Sequence, residues 1–308
     1  MALAEWIWMN GECVKYADAK VHVTTHAIHY GSSVFEGIRA YATAQGTAVF
    51  RLKEHTRRLM HSAKIMRIEM PYTEDQINEA IIETISRNGH DSCYIRPIAF
   101  RGAHPNGIQG LEGRTSPVDV AIITMNWGRY LGQEAIEQGV DVQISSWRRM
   151  SPGSLTPMGK IGGQYVNSQY ITMEARDNGF TEGIALDHTG MVSEGAGENI
   201  FVIIEGEVYT PSTGSSILRG ITRDSALTIL KDLDIPVRYE AVSREMLYIA
   251  DEIFFTGTAA EITPIRSVDR VKVGIGSRGA ITKAVQDAFF GITSGAQPDK
   301  YNWLTPVR

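Results

Sequence analysis

Glycine and other turn formers cut this chain into short runs, and that punctuation limits the folds open to it. Residues 6–15 read Trp-Ile-Trp-Met, then Asn10-Gly11, then Glu-Cys-Val-Lys. Asn-Gly is the favoured type I′ turn of a two-residue hairpin. Gly206 separates strand-like runs at 200–205 and 207–210, and Thr258-Ala259-Ala260 turns a run at 252–256 into one that reaches Arg266. Further strands are predicted at 35–41, 47–51, 92–100, 118–125, 184–187 and 236–240. Helical spacing intervenes: apolar residues fall at 59, 60, 63 and 66, and isoleucines at 77, 81, 82 and 85, with Gly89 as a stop. Helices are also predicted near 167–178, 223–233 and 282–290. Strands and helices interleave, yet several strands meet at tight turns. The expected fold is therefore α/β with mixed sheets in two domains, not a doubly wound parallel sheet. The domains are expected at 1–125 and 139–308, joined by 126–138.

Composition narrows the classes of function. With 43% hydrophobic and 21% charged residues the chain reads as globular, and a net charge of −5 without a basic run argues against nucleic acid. Cys13 and Cys93 provide neither a disulfide framework nor a metal spacing, which fits a reducing cytoplasm. The N-terminus has no basic start or unbroken apolar run, so no signal peptide is expected. No apolar stretch approaches the ~20 residues of a membrane helix. Glycine makes up 30 of the 308 residues, above the usual ~7%. These glycines gather beside short motifs, as turns around a built site do.

Lys160 is the chief of these sites. It stands in Met158-Gly159-Lys160-Ile161-Gly162-Gly163-Gln164-Tyr165. Glycine lets another group approach closely. A lysine enclosed in this way loses hydration, which frees its lone pair for attack on a carbonyl, as a Schiff-base lysine requires. The plainer alternative is a solvated lysine in a flexible loop. Ser193-Glu194-Gly195-Ala196-Gly197-Glu198-Asn199 sets a carboxylate among small residues, where it could meet a flat ligand edge-on; solvated acids on a turn are the alternative. Leu218-Arg219-Gly220-Ile221-Thr222 runs into a helix start, offering free N–H groups and a hydroxyl to a phosphate, or merely a capped helix. Thr258 could add a second hydroxyl and Arg58 a guanidinium. Alternation places Tyr94, Arg96 and Ile98 on one strand face, and an inward arginine implies either a substrate carboxylate or an internal acid. The segment from Tyr30 to Tyr41 mixes aromatic, small and charged residues suited to lining a pocket. His22, His26 and His29 invite a metal reading, but no cysteine or carboxylate motif accompanies them, so structural histidines are expected.

Six segments occur together in order: His29 to Arg39, Tyr94 to Pro97, Lys160 to Tyr165, Ser193 to Asn199, Gly220 to Arg223 and Gly257 to Pro264. In this the chain resembles the class IV aminotransferases, pyridoxal 5′-phosphate enzymes of fold type IV, and within them the bacterial branched-chain amino acid members. The resemblance covers nearly the whole sequence. It implies a small N-terminal α/β domain, a larger C-terminal α/β pseudo-barrel domain that binds the cofactor, and a site between them reached by loops of a dimer partner. It implies a homodimer, or a trimer of dimers. By position, Lys160 is the catalytic lysine that holds the cofactor and shuttles a proton. Glu194 is the partner of the ring nitrogen and Tyr165 of the phenolic oxygen. Arg58, Gly220, Ile221, Thr222 and Thr258 form the phosphate cup, and Leu218 packs on the ring. Substrate is implied to meet Tyr30, Phe35, Gly37, Arg39, Tyr94, Arg96, Trp127, Tyr130 and the turn Thr258, Ala259 and Ala260. The loop 101–113 departs from the family form, which leaves side-chain preference open. The reaction implied is transamination of leucine, isoleucine or valine with 2-oxoglutarate. D-amino acid or (R)-amine transamination, aminodeoxychorismate lyase activity, and a non-catalytic binding protein on the same scaffold are the alternatives.

Overall fold

A computed structural model describes residues 4–126, 128, 131, 132 and 134–307. The chain forms two compact units. The first gathers the described residues up to 126 together with Gly159–Tyr165 and the tail from Thr293; the second holds those from Gly128 to Met158 and from Val166 to Ile292.

The first unit contains strands β1 (Trp6–Met9), β2 (Glu12–Lys15), β3 (Ser33–Phe35), β4 (Ile38–Thr43), β5 (Gly46–Phe50), β6 (Cys93–Arg101) and β7 (Val118–Met125). Its helices are α1 (His26–Tyr30), α2 (Leu52–Ile65) and α3 (Glu74–Asn88). The Asn10-Gly11 turn makes β1 and β2 a hairpin, with Trp8 opposite Cys13. The sheet runs β5, β4, β6, β7, β1, β2, with β3 also on β6 and a C-terminal strand, Leu304–Pro306, on the outer edge of β5. All its pairings are antiparallel. Helices α2 and α3 close its core through Leu59, Ala63, Ile77, Ile81 and Ile85, which pack with Ile38, Ile95 and Ile122. The capping box Thr73/Gln76 starts α3, and Gly89 ends it at φ 63°, as the sequence implied.

The second unit holds β8 (Val140–Ile144), β9 (Glu182–Leu186), β10 (Val192–Gly195), β11 (Asn199–Ile204), β12 (Glu207–Thr210), β13 (Val237–Tyr239), β14 (Glu252–Gly257), β15 (Glu261–Val268) and β16 (Val271–Lys272). Its helices are α4 (Ala135–Gln138), α5 (Tyr165–Asp177), α6 (Ile221–Asp232), α7 (Met246–Ile249) and α8 (Ala280–Thr293). Strand order is β10, β9, β8, β15, β14, β11, β12, β13, with parallel pairs at β9/β8, β8/β15 and β12/β13. Tight turns at Gly206 and at 258–260 produce the antiparallel pairs β11/β12 and β14/β15. No described helix is long and apolar enough to cross a membrane.

Several elements lie outside the predicted set, among them α1, α4, β8, α7, β16 and the strand Leu304–Pro306. The predicted strands leave out the stretch around Glu194, but Val192–Gly195 pairs with β9 and shifts register between Val192 and Glu194. Such an irregularity re-aims side chains along a strand. Alternation, the usual strand signal, is lost where Ser, Glu and Gly follow one another.

Candidate active site

In the first unit, helix α2 and strand β3 fix the lysine. Ser62 Oγ accepts from Lys160 N at 2.9 Å and donates to Arg58 O at 2.9 Å; Phe35 N donates to Lys160 O at 3.1 Å. The glycines allow this close passage. A Cβ on Gly162 would lie 2.2 Å from Ser33 Oγ, and one on Gly31 would lie 2.7 Å from Gly163 Cα. Two backbones therefore cross where side chains cannot intervene. Lys160 is half-buried, and its Nζ donates to Tyr165 Oη at 2.6 Å. The same nitrogen stands 4.9 Å from the centre of the Phe35 ring, which packs edge-on against Tyr165. The flexible, solvated loop is thereby set aside.

Arg96 joins this group. Its guanidinium lies over Phe35 at 4.7 Å and Nη2 donates to Tyr94 Oη at 3.0 Å, while Nε is buried with no partner. Among the described residues no acid pairs with it, so the internal salt bridge does not form. A buried donor left open is costly unless a ligand satisfies it. Gly37 leaves room for the tyrosine, since a Cβ there would lie 2.1 Å from Tyr94 Oη.

Arg58 is held by Glu36, to which the sequence reading gave no role. Arg58 Nε donates to Oε1 at 2.7 Å and Nη2 to Oε2 at 2.8 Å; His55 Nδ1 donates to Oε2 at 2.7 Å. Burial alone would raise the fully enclosed Glu36 carboxyl, but Arg58 and His55 outweigh it and hold it down at about 2. Burial pushes His55 below its usual value despite Glu36, so it serves as a neutral donor. Residues 55, 58 and 62 sit at i, i+3 and i+7 of α2, a spacing that puts them on one helix face.

In the second unit Glu194 is 4% exposed and three groups orient it. Arg149 Nη2 donates to Oε1 at 2.7 Å; Asn199 Nδ2 and Leu218 N both donate to Oε2 at 3.0 Å. Asn199 also donates to Leu218 O at 2.9 Å. A Cβ on Gly220 would come within 1.9 Å of Asn199 Oδ1, so this glycine serves the asparagine as well as the helix start. Gly220 precedes α6 without a side-chain cap, leaving first-turn N–H groups beside the buried Ile221 and Thr222. Leu218, Thr258 and Ala259 are half-buried, and Ala260 is buried.

The first unit thus brings together Phe35, Gly37, Tyr94, Arg96, Lys160 and Tyr165, with Arg58 on the adjoining helix. Tyr30 is instead 44% exposed on α1 against His26, and Arg39 turns onto Tyr41 at 5.8 Å. Trp127 and Tyr130 lie outside the described residues. Of the histidines, His26 bonds Ser32 and the carbonyl of Gly110, His29 the carbonyl of Val23, and His22 Thr24. Arg149 and Asn199 were missed. Asn199 ends a motif already singled out, whereas nothing local distinguishes Arg149 from Arg148 beside it.

The model of the family described as amino-transferase class IV matches residues 33–268. The chain belongs to this family. Over 304 residues this class IV aminotransferase is 50% identical to the branched-chain-amino-acid aminotransferase of Salmonella typhimurium, covering 99% of this chain and 98% of that one. The crystal structure of the Escherichia coli branched-chain amino acid aminotransferase superposes with a TM-score of 0.95 at 49% identity, covering 99% of this chain and 100% of that one. The Thermobaculum terrenum branched-chain enzyme in its pyridoxal-phosphate form superposes at 0.92 with 32% identity, each chain covered to 99%.

The residues present fit that cofactor. An enclosed lysine amine touches a phenol, a buried carboxylate is fixed by three donors, and an uncapped helix start carries a buried threonine.

Proposed function

We propose that this enzyme transfers the amino group of L-leucine, L-isoleucine or L-valine to 2-oxoglutarate, using pyridoxal 5′-phosphate. The observation that carries the reading is the 2.6 Å contact of Lys160 with Tyr165 beside Phe35 and an arginine that lacks an acid. In this reading Lys160 and Tyr165 hold the aldehyde end of the cofactor and Glu194 its ring nitrogen. Arg58, Gly220, Ile221, Thr222 and Thr258 hold the phosphate, and Leu218 packs on the ring. When bound, the cofactor supplies an aldehyde to receive the amino group and a ring to take up negative charge from Cα. Lys160 Nζ takes the proton from substrate Cα, and Tyr165 Oη keeps the amine in place for it. Asn199 and Arg149 keep the Glu194 carboxylate oriented. Phe35 and Tyr94 offer apolar faces to a branched side chain, while Arg96 and the Tyr94 hydroxyl receive a carboxylate. One pocket can then serve leucine and glutamate in turn, with ping-pong kinetics. The remaining positions carried by resemblance are Tyr30, Arg39, Trp127, Tyr130, Ala259 and Ala260. The working unit is a homodimer, alone or as three dimers, and two unpaired cysteines fit a cytoplasmic setting.

An assay with 2-oxoglutarate as acceptor tests this. L-Leucine is expected to react at least about a hundredfold faster than D-alanine or (R)-phenylethylamine. Borohydride should fix the cofactor to the peptide that contains Lys160, as read by mass. No turnover of leucine, isoleucine or valine would defeat the substrate assignment, and a colourless protein inert to borohydride would point to a binding role. Gly37→Ala drives a methyl into the Tyr94 hydroxyl and loosens its hold on Arg96. Its kcat/KM for leucine should fall roughly tenfold or more; an unchanged value would remove Gly37 from the pocket.

A further inference from the structure

A cleft of about 720 Å³ opens in the first unit, with none of the candidate site residues in its lining. That volume is in the range of small-molecule sites. It is lined by Lys64, Arg67, Arg101 and Arg114, against which stands one acid, Glu69. Arg114 is occupied, since its Nε and Nη2 grip Glu112 at 2.7 Å. Lys64 and Arg67 are exposed and Arg101 is only 8% exposed. Among the described residues, no carboxylate forms an ion pair with any of these three.

Part of this charge has a structural use. Arg101 Nη2 donates to the carbonyls of Met66 and Arg67, both at 3.0 Å, and so caps the end of α2. Capping does not account for the rest of the cleft. Ser116 lines it, 5% exposed, with an Oγ that has no hydrogen-bond partner. Burial pulls the Arg101 guanidinium below its usual value; Glu112 opposes this and Arg114 adds to it. A buried cation without an ion pair and a buried hydroxyl without a hydrogen-bond partner are the features of a site for an anion. The remaining wall is apolar, with Met60, Met70 and Val118 among its residues. A bare inorganic ion would have no use for that surface.

We propose that this cleft binds a small carboxylate with an aliphatic body, its head held by Lys64, Arg67 and Arg101 and its chain laid along Met60, Met70 and Val118. The ligand takes no part in the transfer reaction.

The test uses the full chain charged with pyridoxal phosphate and labelled at its methionine methyls, assigned through Met60→Leu and Met70→Leu. Titration with hexanoate should shift the Met60 and Met70 signals to saturation. The double variant Lys64→Gln, Arg67→Gln should weaken that binding roughly tenfold, since two exposed charge pairs together contribute on this scale. Both residues are exposed, so its melting temperature and leucine turnover should match the parent. Inorganic phosphate should bind more weakly than hexanoate. Signals that stay in place, shifts that persist unweakened in the double variant, or phosphate binding as strong as hexanoate would each overturn the proposal.

Discussion

Replacing Lys160 with alanine is expected to lower leucine turnover by at least about a thousandfold, the scale of losing both the covalent attachment and the proton carrier. The fold should survive. The contacts that place the segment are made by backbone, through Lys160 N to Ser62 and Phe35 N to Lys160 O, and alanine keeps both. The side chain itself gives up one hydrogen bond to Tyr165 and a place over two rings. The melting temperature should therefore move by no more than about 3 °C. A variant that retains activity within tenfold of the parent would remove Lys160 from the chemistry. A variant that fails to fold would mean that the amine carries structural weight which its half-buried setting does not suggest.

Glu36→Ala should be the most destabilising single change near the site. Glu36 is wholly buried and Arg58 nearly so, and they meet through two short parallel hydrogen bonds. Removing one partner of such a pair strands the other charge and costs about 3–5 kcal/mol. The melting temperature should fall on the order of 10 °C. Glu36→Gln should cost less, because it keeps the volume and one acceptor. The same carboxylate gives a pH dependence. Its value in the folded chain, about 2, is below that of a free glutamate, so the unfolded chain binds the proton first as pH falls. The stabilisation, about 3 kcal/mol, is complete above roughly pH 4.5 and is lost between there and pH 2. Denaturant unfolding of parent and Glu36→Gln from pH 6 to pH 3 should show the two stabilities converge. Parallel curves, or a melting temperature for Glu36→Ala within about 2 °C of the parent, would count against this account.

The segments around Lys160, Glu194 and Gly220 could be singled out in the sequence because their glycines advertise close approach. Gly162 and Gly163 flank the lysine for that reason, and Gly220 announces the start of α6. What the sequence could not reveal is which distant side chain completes each group. Arg149 reaches Glu194 across 45 positions and Glu36 meets Arg58 across 22, and no periodicity links them. Arg96 was read as needing an anion, yet only the structure could decide between an internal acid and an open donor. The strand at Glu194 escaped notice because its register shift breaks the alternation by which strands are recognised.

The first unit is assembled from three separate stretches of chain, of which Gly159–Tyr165 and the tail from Thr293 come late. On the ribosome, the opening 126 residues emerge with the outer edge of β5 bare and no Ile161 beside Val34. That edge stays open until Leu304–Pro306 has left the exit tunnel. A nascent chain is exposed to strand-to-strand association throughout that interval. An expression fragment cut after residue 126 should inherit the same vulnerability permanently.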